Sequence, residues 1–154
     1  MALFTKKEVK EGKPIIHNIL RMPEIDLLRG ARWEDYSDKD FVSFVCGEES
    51  FGPGFKKYFG SGNYNGNVSI SYTPDYGYIK MDIYFGANTV SVATLKANAD
   101  FASSVLGFEV EVMAPGTAGL TYPNVTVSKQ GVAFSDLKLQ VENMILAAAS
   151  IVGA

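Results

Sequence analysis

Residues 68–85 read VSISYTPDYGYIKMDIYF, and their pattern decides the fold. Val68, Ile70 and Tyr72 alternate with Ser69, Ser71 and Thr73. Ile79, Met81, Ile83 and Phe85 then alternate with Tyr78, Lys80, Asp82 and Tyr84. A period of two belongs to a strand with one side buried and the other wet. Between the two runs stands Pro74-Asp75-Tyr76-Gly77. Proline presets φ for a turn, and glycine accepts a positive φ. The spacing predicts an antiparallel hairpin.

Downstream, LKANADFASSVLG (95–107) reads as a short helix closed by Gly107. FEVEVM (108–113) alternates again, with Phe108, Val110 and Val112 inward and Glu109 and Glu111 outward. VTVSKQGVAF (125–134) predicts a second hairpin, turning at Lys129-Gln130-Gly131. The last segment predicts a helix. Ser135 suits its N-cap, and Leu137, Val141, Met144, Ile145, Ala148 and Ile151 form one apolar stripe. Leu139 and Leu146 lie off that stripe.

Upstream, Thr5-Lys6-Lys7-Glu8 has the spacing of a capping box. Gly12 and Pro14 oppose a long helix there, and IIHNILRM (15–22) reads as a second helical pattern. ARWEDYSDKD (31–40) predicts a polar turn, and FVSFVC (41–46) a strand. The order α-β-β-β-α-β-β-α argues an α+β fold: one antiparallel sheet of about five strands flanked by helices. A length of 154 residues makes a single domain over 1–154 the expectation.

From about residue 68 to 152 this order of elements resembles the YbjN family, whose fold is similar to that of type three secretion chaperones. The strand pair quoted first, the short helix around Asn98, FEVEV, NVTVSKQGVAF and the closing helix from Ser135 carry the resemblance. It implies a sheet flanked by helices, and a binding or chaperoning function, often as a dimer.

Composition narrows the function classes. An apolar fraction of 47% is enough for a core and argues against a disordered chain. The net charge of −3, with basic residues scattered, leaves no footprint for nucleic acid. The one cysteine, Cys46, and the one histidine, His17, make neither an internal disulfide nor a zinc set. No metal or cofactor is expected, nor a Cys–His catalytic pair, and Cys46 reads as small core filler. The absence of an apolar leader-like run and of a span near 20 apolar residues makes a cytoplasmic protein, not held in a membrane, the expectation.

The least ordinary stretch is 52–66, rich in Gly, Asn and aromatics. Gly60-Ser61-Gly62 begins like a phosphate-binding fingerprint, but Asn65 stands where its third glycine belongs and a strand pattern follows. The segment reads as an exposed loop. Phe55, Lys56, Lys57, Tyr58, Phe59 and Tyr64 either fold back as a lid or make contacts with a protein or a stacked ligand. Leu139 and Leu146 are the second set of partner-binding candidates, since bare leucines beside an apolar stripe make a sticky patch. At least one of them is expected to be buried, against the N-terminal helix or another subunit. The leading expectation is a non-enzymatic protein-binding or chaperone-like homo-oligomer. The alternative is a structural subunit of a larger assembly, such as a phage or secretion particle, touching its neighbours through 52–66 and the C-terminal helix. A small enzyme is the third class, and no constellation in the sequence supports it.

Overall fold

Alternation along the chain builds one six-stranded sheet in the computed structural model, which describes residues 6–24, 26–59, 66–86 and 91–153. Its strands are β1 (Glu34–Asp35), β2 (Val42–Gly47), β3 (Asn67–Thr73), β4 (Tyr78–Tyr84), β5 (Glu109–Met113) and β6 (Asn124–Lys129). They lie in the order β1-β2-β3-β4-β6-β5, and every neighbouring pair is antiparallel. The helices are α1 (Lys6–Leu20), α2 (Pro53–Phe59), α3 (Val92–Asn98), α4 (Asp100–Ser104) and α5 (Leu137–Val152). The fold is α+β, as the sequence predicts. The sheet has one strand more than expected: two residues of the polar turn after Trp33 pair with Val45 and Phe44 as β1.

The hairpin β3–β4 forms in the expected register, Val68 opposite Ile83 and Tyr72 opposite Ile79. Its turn is a single 3₁₀ turn, Pro74–Tyr76, ended by Gly77 at φ +57°. Glycine is needed here twice over. A Cβ would stand 2.7 Å from the carbonyl oxygen of Val132, and L side chains rarely adopt this φ.

Inward positions are continuous across strands. Phe44, Ile70, Met81 and Val127 form one enclosed row, and Cys46, Val68, Ile83 and Val125 the next. Their alternates on the opposite side are mostly half-exposed. One side of the sheet therefore carries the core with the helices, and the other carries polar side chains. Val141, Met144, Ile145, Ala148 and Ile151 of α5 close the core from above, so the predicted stripe is the buried one.

Several local expectations are corrected. The N-terminal region is one helix of 15 residues that passes through Gly12 and Pro14. Gly12 is where α1 meets α5 and β2: a Cβ there would lie 3.2 Å from Leu137 Cδ2. Packing of Ile16, Ile19 and Leu20 outweighs the helix cost of both residues. The segment 95–107 divides into α3, N-capped by the Ser91 hydroxyl, which accepts from the Thr94 N–H, and α4; Gly107 follows α4 at φ +74°, the left-handed conformation expected of it. Ser135 caps nothing: a 3₁₀ turn, Phe134–Asp136, runs straight into α5. The second hairpin does not form beyond Gly131. Val132 instead donates to Gly77 O at 2.9 Å and accepts from the Tyr72 hydroxyl at 3.0 Å, tying that segment to the β3–β4 turn.

The segment 52–66 is not a continuous exposed loop. Its first half is α2, opened by Pro53 at a position where a missing N–H costs nothing. Phe55 is 1% exposed, stacked on Phe51 at 5.0 Å and tilted against Trp33 at 5.8 Å. The physical reason is aromatic area, which three ring systems hide together. Tyr64 and the rest of 60–65 lie outside the described residues.

Candidate interaction surfaces

The residues singled out from the sequence fall into three groups. Phe55 belongs to the core, where no partner can reach it. Lys56 and Lys57 are exposed on α2. Tyr58 and Phe59 end α2, and their side chains, like Tyr64, lie outside the described residues.

Leu139 and Leu146 form the second group. Each is 54% exposed, so neither is covered by α1 or any other described element of the chain. They stand seven residues apart, which places them on one side of α5 with Asn143 between them. Their layer holds two further bare apolar side chains that the sequence reading missed: Phe101 and Val105, 38% and 67% exposed, in α4 and at its end. The pair is spaced for the inside of a helix. α4 is one turn long and buries Ala102 instead, so spacing alone misleads there.

The third group is the chemistry-bearing pair. His17 stacks on Phe44, ring centroids 5.3 Å apart and nearly parallel. Burial, with help from Arg21, lowers its pKa. Cys46 is fully enclosed, and burial pushes its thiol up to about 12. A thiol so held is a poor nucleophile. Both side chains serve packing.

The open side of the sheet is the broad surface that the alternating pattern implies but the candidate residues overlooked. Two rows cross it. Ser43, Ser71, Lys80, Ser128 and Glu109 form one, and Val45, Ser69, Asp82, Thr126 and Glu111 the other. Lys80 pairs with Asp82 at 3.2 Å, and Thr126 donates to the same carboxylate at 2.7 Å. At the β1 end a cleft of about 330 Å³ is lined by Glu34, Glu48 and Glu49 with Tyr36, whose hydroxyl donates to Glu34 at 2.7 Å. Carboxylates dominate both ends of this side.

Beside β1, Asp35 accepts from the Ser37 N–H at 2.8 Å and pairs with Lys13 of α1. Burial works to raise its pKa, but the bonds from Lys13 and Ser37 outweigh it and hold the carboxyl at about 2. This contact joins α1 to the edge of the sheet. Among the described residues no helix is long and apolar enough to cross a membrane. Comparison with family models, with characterised proteins and with solved structures returned no match to this chain.

Proposed function

We propose that this chain is a non-enzymatic, chaperone-like protein-binding domain that pairs with a second copy of itself through the outer side of α5. One observation carries the reading: Leu139 and Leu146 stand one heptad apart and bare on a helix whose other side is fully used by the core. Each leucine is 54% exposed, so removing the rest from water contributes roughly 0.8–1.6 kcal/mol apiece, and a two-fold pairing of identical helices covers both on both copies. Asn143 between them supplies the polar residue that fixes register in such seams.

Light scattering over a wide concentration range tests it. The intact chain is expected to hold a fixed small mass, and Leu139→Glu with Leu146→Glu to fall to the monomer with its circular dichroism intact. A wild-type monomer at every concentration overturns the reading, as does an unchanged mass in the double variant. A structural subunit of a larger assembly is the second reading. Lys56 and Lys57, exposed on an element separate from α5, favour it, because two unlike patches suit head-to-tail contacts. Mass that grows without limit with concentration is its signature.

A further inference from the structure

We propose that β5 is a docking edge for an extended segment of another protein, one that alternates basic with apolar residues. β5 ends the sheet, with β6 on one side and no strand of the described residues on the other. Every second residue of such a strand turns its N–H and C=O outward, which makes the edge a template for an added strand. At the opposite end of the sheet β1 is only two residues long and offers no such template.

The two sides of β5 ask for different side chains. Glu109 and Glu111 are exposed on the open side. Val110 and Val112 are half-buried on the helix side, where they line a cleft of about 170 Å³ with Ala99, Lys96, Asp100 and Ser103. Behind Glu111 in its row come Thr126 and Asp82, and the ammonium of Lys80 is already engaged by Asp82. An incoming strand thus meets carboxylates at one set of alternate positions and valines at the other. Lys or Arg suits the first set and an aliphatic residue the second.

The same charges argue against a second copy of β5 as the occupant. Antiparallel self-pairing over the whole strand sets Glu111 opposite Glu111, and a shift of two residues sets Glu109 opposite Glu111. Like charges directly opposite are destabilising. The proposal does not rest on pairing through α5, because a monomer presents β5 equally.

The test uses the full chain with two seven-residue peptides, one alternating lysine and valine, the other glutamate and valine. The lysine peptide is expected to bind at least about tenfold more tightly and to slow amide exchange within 109–113. Glu109→Lys with Glu111→Lys is expected to reverse the preference. Glu109→Gln with Glu111→Gln, a milder change at the same exposed positions, is expected to abolish it. No binding by either peptide, equal binding, protection outside β5, or a preference that survives both variants overturns the proposal.

Discussion

Gly52 lies against Arg29 so closely that a Cβ on Gly52 would overlap the Arg29 carbonyl oxygen and the backbone of Gly30 and Ala31. Arg32 donates to Ser50 O at 2.8 Å just beside it, so the two backbones are pinned together. Neither side of this approach can give way without moving Leu27, Leu28 and Phe51, all core residues. Gly52→Ala is therefore expected to cost about 3 kcal/mol or more, at the upper end of overpacking effects. Gly47→Ala, where a Cβ meets nothing within 4 Å, should stay within about 0.5 kcal/mol. Urea unfolding of the two variants checks the contrast. Equal stabilities would mean that the 29–32 and 50–52 segments are not packed this way.

Cys46 gives a kinetic test of the core. The native thiol is fully enclosed and held protonated by burial. At pH 8 it should react with a thiol-specific chromogenic reagent only as fast as the chain opens, and at the rate of a free thiol once denatured. Rapid labelling of the native chain would place Cys46 at the surface.

The sequence carried the hairpin because two independent signals coincide there, strand alternation and a Pro–Gly turn. It carried the buried side of α5 because a six-position stripe has one solution on a helix. It did not carry α2. Phe55 is buried by Phe51 and by Trp33, and Trp33 lies more than twenty residues away in sequence. Local reading of Gly-Pro-Gly sees only the breakers. Likewise Gly12 reads as a helix stop until Leu137 is packed on it. β1 has two residues and no pattern of its own; only pairing with β2 defines it. As for surfaces, the sequence set Leu139 and Leu146 off the buried stripe, but the cover it expected from the N-terminal helix is not there, and it did not show the edge character of β5, because helix packing and strand order are long-range properties.

Acid should expose the tie between α1 and β1. The Asp35 carboxyl stands at about 2 in the folded chain, below its ordinary value near 3.8. A depressed carboxylate stabilises fully above its unfolded pKa, and that contribution is lost as pH falls from about 4 toward 2. The pair is partly exposed, so the effect is modest and weakens with salt. Asp35→Asn should flatten the acid limb of the stability curve in that window and leave its shape above pH 5 unchanged. An identical acid limb in wild type and variant would mean that Asp35 titrates equally in both states.

Tyr72 should dominate a test at the other end of the pH scale. Its side chain is fully enclosed, and its hydroxyl gives the buried carbonyl of Val132 a donor at 3.0 Å. Tyr72→Phe removes that donor without changing the ring. The orphaned carbonyl should cost about 1–3 kcal/mol at pH 7. Burial, with the charge of Glu8 adding to it, pushes the Tyr72 hydroxyl up to about 12, from an ordinary value of 10. A raised pKa means that the folded chain holds the proton more tightly. The stabilisation is complete below pH 10 and is lost as pH climbs from 10 toward 12. Cys46, raised from 9 to about 12, is present in both chains and falls away in the comparison. The stability gap between wild type and Tyr72→Phe should therefore be constant from pH 6 to 9 and narrow above 10, as read by urea unfolding at pH 7, 10 and 11.5. A gap of the same size at all three would mean that Tyr72 ionises as readily in the folded chain as in the unfolded one. A missing gap at pH 7 would mean that Val132 finds another donor.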